Sequence, residues 1–215
     1  MVVKLYGHPL ATSGHRVQIV LEELNVPYEL ITLSFEKQDH KSPEYLAHQP
    51  FGQMPYMDDD GFELFETRAI CRYLAVKYGG IGTLLPPQSD VEATARFEQA
   101  ASVELNNFEA PVSQLAWEVW YKPMRGLKTI PEEAQAYKTK LEGRMDAYDA
   151  MLSKTKFLAG DDLTMADLFH LPYESFLKEQ GFDFVSGEST RWPNVARWWK
   201  EIASRPSWKK VIASS

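Results

Sequence analysis

The sequence predicts a mixed α/β half followed by an all-helical half. Three observations carry that reading. Short β-rich segments near the N-terminus are separated by a segment with helical hydrophobic spacing. A four-residue turn signal, Asp58-Asp59-Asp60-Gly61, joins two further strand-like runs. After about Asp90 no convincing strand occurs, and helical patterning continues almost to the end.

The elements follow in order. Val2-Val3-Lys4-Leu5-Tyr6 reads as a first strand ending at the turn signal Gly7-His8-Pro9. Val17, Val20, Leu21 and Leu24 recur at helical spacing and predict a helix over 13–25, which Pro27 closes. Tyr28 to Leu33 then reads as a second strand, parallel to the first because the connection is helical. Pro55-Tyr56-Met57 and Phe62-Glu63-Leu64-Phe65 form a hairpin. Ile70, Tyr73 and Leu74 continue as a helix to about Tyr78. This β-α-β then β-β-α order is thioredoxin-like. Gly79-Gly80-Ile81-Gly82 and Pro86-Pro87 mark a linker. The division is therefore 1–78, a linker over 79–89, and a helical domain over 90–215. Its main helices are expected at 90–121, 131–153, 164–180 and 192–202, with a short tail from Pro206. Thr164-Met165-Ala166-Asp167 fits an N-terminal capping box, flanked by Leu163 and Leu168 as a staple.

Composition removes several function classes. The chain has 215 residues, 44% hydrophobic and 13% aromatic with six Trp, so large apolar surfaces must be buried or line a cleft. A net charge of -7 argues against nucleic acid, which needs a basic face. No basic-then-apolar leader opens the sequence, and no run approaches the roughly 20 apolar residues of a membrane helix. A cytoplasmic protein without membrane partners is expected. The one cysteine, Cys71, permits no Cys-x-x-Cys pair and reads as a buried apolar residue. The five histidines show no metal spacing, so no metal is expected. Neither a phosphate-binding glycine loop nor a Gly-x-Ser-x-Gly elbow is present.

The most informative stretch is Gln49-Pro50-Phe51-Gly52-Gln53-Met54-Pro55, followed by Leu64-Phe65-Glu66-Thr67-Arg68-Ala69-Ile70. The residue before a proline is held extended, and X-Pro is the linkage where a cis bond is inexpensive. A cis bond at Met54-Pro55 would turn the Met54 backbone N–H and C=O outward toward an extended ligand. A helix opening near Glu66 would present unbonded N–H groups to a carboxylate, and Glu66 itself suits an ammonium.

These strings, with His40-Lys41-Ser42-Pro43 and Phe157-Leu158-Ala159-Gly160-Asp161-Asp162-Leu163-Thr164-Met165-Ala166-Asp167, resemble the glutathione transferases, and the phi class most of all. The resemblance covers nearly the whole chain. It implies a thioredoxin-like glutathione-binding domain joined to a helical bundle. It also implies conjugation of glutathione to hydrophobic electrophiles in detoxification, possible glutathione-dependent peroxidase activity, and a homodimer. By that resemblance His40, Lys41 and Gln53 would meet the glycine carboxylate of glutathione. Met54 and Pro55 would present main chain to its middle, and Glu66 and Thr67 would hold the γ-glutamyl end.

The chain departs from the family at the thiol. Phi-class enzymes carry a serine in the loop before the first helix, and Ala11 falls at that position. Thr12 and Ser13 follow at once: either hydroxyl is a candidate catalytic donor to sulfur, and a backbone N–H acting alone is the other option; Thr12 is the marginally preferred donor, and for Ser13 the catalytic reading and that of N-cap of the first helix weigh equally. A hydroxyl beside a helix N-terminus favours thiolate over thiol. An apolar cleft between the two halves would take the second substrate, with Leu10, Phe35, Phe108, Trp117, Tyr121, Tyr173 and Phe176 as candidate walls; about half of these are expected to be core only. Ala11 motivates the alternative reading, a non-catalytic ligand-storing protein of the same fold.

Overall fold

The computed structural model describes residues 2–214 as two compact units. The first comprises residues up to Leu85 together with Ser204 onward, and the second Pro86–Ala203. The sequence reading gave all of 90–215 to the helical domain; the C-terminal segment instead belongs to the first unit. Charge and aromatic contacts explain its return. Arg205 binds Glu23 through both Nε (2.5 Å) and an Nη (2.6 Å). Ser207 also donates to Glu23, Lys210 reaches Glu22 at 2.7 Å, and Trp208 meets His15 edge-on.

The first unit is a four-stranded sheet in the order β2-β1-β3-β4, with β1 Val3–Gly7, β2 Tyr28–Thr32, β3 Tyr56–Asp59 and β4 Phe62–Phe65. β1 and β2 run parallel, as a helical crossover requires, and β1–β3 and β3–β4 are antiparallel. The β3–β4 turn is Asp60-Gly61, both at positive φ (59° and 87°), the two-residue hairpin geometry that Asp-Gly favours. Asp58 closes it by accepting from the Gly61 N–H at 2.8 Å.

Helix α1, Thr12–Glu23, packs against α3, Thr67–Lys77, and against α11, Pro206–Ala213. Its residues Gly14 to Leu21 are all buried, so covering from several sides replaces the one-face burial of a surface helix. Cys71 is buried and its thiol donates to the Arg16 carbonyl, consistent with a packing role. Asp59, 2% exposed, ties β3 to α3 by accepting from Lys77 (2.7 Å), Tyr73 (2.9 Å) and Tyr78 (2.9 Å). Burial of the Asp59 carboxyl pushes its pKa up, but these donors outweigh burial and leave it below the ordinary value.

In the second unit the expected helix 90–121 is a relay of segments. α4 Val91–Val103 passes through a wider π turn, Glu104–Glu109, into α5 Ala110–Ala116; a second π turn, Trp117–Tyr121, leads to α6 Lys122–Met124. α7 is Pro131–Leu152 and α10 is Pro193–Ala203. The expected helix 164–180 is broken as well, into α8 Met165–Leu168, a tight turn at Leu171–Tyr173 and α9 Glu174–Glu179. Pro172 removes one N–H there and favours that interruption. The capping box at Thr164 and Asp167 is present. Fully buried Asp167 also accepts from the Leu158 N–H and the Trp198 indole N–H, both at 2.9 Å, which satisfies its oxygens inside the aromatic core.

Candidate functional site

The loop ahead of β3 is fixed before its side chains matter. Ser42 caps α2, Pro43–His48, by accepting from the Tyr45 N–H at 3.2 Å, with Pro43 in the first turn. That cap points Tyr45 back, and its hydroxyl donates to the Gln53 carbonyl at 2.7 Å. The buried Gln49 side chain accepts from the Gln53 N–H at 3.2 Å. Both main-chain groups of Gln53 are thus clamped, and its side chain stays exposed. Tyr45 is not singled out in the sequence and Gln49 stands in the motif without a role, because their partners are main-chain atoms that a residue pattern does not show.

Gly52 lies at φ 58°, and a Cβ there would stand 2.7 Å from Lys41 Nζ and 2.9 Å from the His40 carbonyl. A side chain at this position is therefore excluded twice, by backbone and by space. Lys41 runs over the bare glycine to donate to the Phe51 carbonyl at 3.2 Å, keeping an ammonium at the loop. His40 contacts the Phe35 ring edge-on at 5.6 Å, and His8 lies against the same ring at 4.7 Å.

The Met54-Pro55 bond is cis. The Met54 N–H has no acceptor among the described residues, while its carbonyl accepts from the Ser13 hydroxyl at 2.9 Å. Only the N–H side of Met54 is therefore open; the expectation that both groups would be open needs that correction. Ser13 is also not the N-cap of α1. The helix starts one residue earlier than expected, with Ala11 in the cap position making no side-chain bond. Ser13 lies inside the first turn, where its side chain is drawn to the Met54 carbonyl instead. Thr12 is the first helical residue, half-buried, with no side-chain partner among the described residues. The first-turn N–H groups of α1 have no intrahelical acceptor, so the Thr12 hydroxyl stands at a positive helix end.

Glu66 precedes α3 at φ 72°, a region costly for a residue with a Cβ. It forms no cap bond and its side chain is exposed. Thr67, buried, opens the helix, whose first-turn N–H groups have no intrahelical acceptor. The first unit thus assembles a clamped loop, an open main-chain N–H, a helix end with an adjacent carboxylate, and the Lys41 ammonium beside the His40 ring.

The candidate apolar walls separate by burial. Leu10 is 66% exposed and Phe35 45% exposed in the first unit. In the second, Trp117 is 41% exposed and Tyr121 half-buried, and both rings face the Arg125 guanidinium, at 5.3 and 5.8 Å. Phe108, Tyr173 and Phe176 are instead core residues: Phe108 packs on His170 (4.5 Å), and Tyr173 and Phe176 meet edge-on at 6.3 Å. Their helical spacing reflects packing inside the unit. Among the described residues no cluster suits a metal, and no helix is long and apolar enough to cross a membrane.

A thioredoxin-like unit with a cis-proline loop and an acidic residue at a helix start, followed in sequence by a helical unit, defines the glutathione transferase fold. The family models bear this out: the glutathione S-transferase N-terminal domain matches residues 1–76 and the C-terminal domain residues 108–206. The chain belongs to the glutathione S-transferase family and is most similar to its phi class. It is 43% identical to glutathione S-transferase PM239X14 of Arabidopsis thaliana, over 93% of this chain and 90% of the relative. Among solved structures it is similar to glutathione transferase F7 from Populus trichocarpa (35% identity, TM-score 0.89, 99% of each chain). It is also similar to maize glutathione S-transferase I in complex with an atrazine glutathione conjugate (34% identity, TM-score 0.89, 100% of this chain and 98% of that one).

Proposed function

We propose that this glutathione transferase holds its tripeptide stretched along the Met54 main chain and activates the thiol with Thr12. The open Met54 N–H takes a backbone carbonyl of the ligand, in the manner of an added strand. The γ-glutamyl carboxylate meets Thr67 and the start of α3, and Glu66 holds the ammonium. At the other end Lys41 and His40, with Gln53, take the glycine carboxylate.

The observation that carries the assignment of the donor is the Ser13–Met54 bond. A hydroxyl has one proton, and Ser13 spends it on a carbonyl; Thr12 keeps its proton for sulfur. A free thiol with a pKa near 8.5 is mostly protonated at neutral pH. A hydroxyl donor at the positive end of α1 stabilises the thiolate, which then attacks an electrophilic carbon and expels its leaving group. Attack on a hydroperoxide oxygen would form an S–O bond, break the O–O bond and release the alcohol, after which a second glutathione thiol displaces water to leave the disulfide. Leu10 and Phe35 supply exposed apolar surface in the first unit for a hydrophobic electrophile.

Resemblance to the family supports a homodimer, and composition supports a cytoplasmic location. The unspent Thr12 hydroxyl favours an enzyme over a ligand-storage protein despite Ala11. Glutathione-dependent turnover of an aryl halide, an isothiocyanate and a hydroperoxide tests this. Turnover of at least one is expected; no turnover with intact glutathione binding would favour storage.

A further inference from the structure

The turn that delivers Thr12 is not held by packing. His8, Pro9 and Ala11 are half-buried and Leu10 is exposed, so none of the four side chains is anchored in the core. Hydrogen bonds to the main chain fix the turn instead. The Ala11 N–H donates to the His8 carbonyl at 2.9 Å, with Pro9 at the second position, where its fixed φ suits a turn. His15, in the second helical turn's approach on α1, donates from Nε2 to the Pro9 carbonyl at 2.5 Å. The Leu10 N–H donates to the His8 Nδ1 at 3.2 Å.

That last bond sets a requirement on the His8 ring. A backbone N–H can only donate, so the accepting Nδ1 carries no proton and the ring is the neutral Nε2–H tautomer. A side-chain acceptor on one residue bonded to the N–H two residues on is the geometry of an Asx turn. Here a ring nitrogen takes the place of an Asn or Asp oxygen. The Phe35 ring lies against the imidazole at 4.7 Å and restricts its rotation.

We propose that His8 is a positioning residue for thiol activation, its Nδ1 bond to Leu10 setting the turn from which Thr12 faces sulfur. The inference rests on Thr12 being the donor and adds what aims it. Thr12 follows Leu10 by two residues, and its hydroxyl has no partner among the described residues, so its direction comes from the backbone on which it stands.

Two variants separate the bond from the ring. His8→Phe keeps a ring against Phe35 and loses the acceptor. His8→Asn loses the ring and keeps an acceptor at the same branch of the side chain. The readouts are the pKa of the bound glutathione thiol, from ultraviolet thiolate absorbance across pH, and kcat/KM for an aryl halide. His8→Phe is expected to raise that thiol pKa and to lower kcat/KM about fivefold, the effect of one neutral hydrogen bond. Glutathione affinity by calorimetry should be unchanged, which also shows that the variant folds. His8→Asn should restore the native values. On a Thr12→Val background His8→Phe should add nothing, because both changes act through one hydroxyl. In the native chain, nitrogen NMR near neutral pH should find the His8 proton on Nε2, a readout that needs no variant.

A proton on His8 Nδ1, or a His8→Asn variant that behaves as His8→Phe does, would overturn the proposal. So would a thiol pKa unmoved by His8→Phe but raised by Thr12→Val, which would leave the donor assignment standing. A thiol pKa unmoved by Thr12→Val would instead overturn the donor assignment, and the role of His8 with it.

Discussion

Ser13 donates its hydroxyl proton to the carbonyl of Met54 at 2.9 Å, joining the first turn of α1 to the residue before the cis-proline across 41 positions of sequence. The bond gives two adjacent hydroxyls different duties. Ser13 holds the ligand-facing main chain in place, and Thr12 is left to act on sulfur. Losing a donor to a developing anion costs about 3 kcal/mol, roughly 100-fold in rate, whereas a neutral hydrogen bond contributes about 1 kcal/mol. Thr12→Val should therefore lower kcat/KM about 100-fold and move its pH profile toward alkaline values, since the thiol then ionises later. Ser13→Ala should act mainly on KM for glutathione, by about fivefold, with the pH profile unmoved. Steady-state kinetics across pH 6–9 separate the two.

Glu66 carries both a strained backbone and an exposed carboxylate. Glycine relieves the first and removes the second. Glu66→Gly should be about 1 kcal/mol more stable than Glu66→Ala, since alanine keeps the Cβ at φ 72°. Both should raise KM for glutathione about tenfold or more through loss of the ammonium partner. Urea unfolding and initial-rate kinetics on the pair check this, with equal stability of the two variants counting against the strain.

Gly52 has no tolerance for a side chain. In Gly52→Ala the new Cβ meets the His40 carbonyl, which is backbone and cannot swing away as the Lys41 side chain can. The expected outcome is a loss of about 1–3 kcal/mol together with weaker glutathione binding, because Lys41 is displaced from the loop. Calorimetric titration with glutathione reads the second effect.

Asp59 makes stability depend on acid. Its folded pKa is depressed while the unfolded value is about 3.9. The contribution is therefore present above pH 3.9 and disappears as pH falls through the lower folded value. Asp59→Asn should cost about 2 kcal/mol near neutrality, from weakened bonds to a charged acceptor. It should also flatten the acid limb of unfolding free energy against pH. A limb as steep as that of the native chain would contradict the role given to this carboxylate.

Local chemistry made much of this legible. Asp60-Gly61 announces its hairpin and Thr164 to Asp167 its capping box, because each is settled by residues a few positions apart. Met54-Pro55 and Glu66-Thr67 were visible for the same reason. What escaped the sequence depends on distance along the chain. The Tyr45 and Gln49 clamp ends on the main chain of Gln53, and the Ser13 tie ends on a carbonyl, so neither leaves a side-chain pattern. Return of the C-terminal segment rests on Glu23 meeting Arg205, far apart in sequence and close only after folding. Phe108, Tyr173 and Phe176 make up the core part that the sequence reading allowed for without naming, because a buried wall and a ligand wall share one periodicity.

The most direct measurement is the crystal structure with reduced glutathione bound. The account predicts the ligand's backbone carbonyl on the Met54 N–H, its γ-glutamyl carboxylate at Thr67, and its sulfur within hydrogen-bond reach of Thr12 Oγ1, with Ser13 still on the Met54 carbonyl. Sulfur seated on a Ser13 hydroxyl that has let go of Met54, or a tripeptide that leaves the Met54 N–H unpaired, would contradict it.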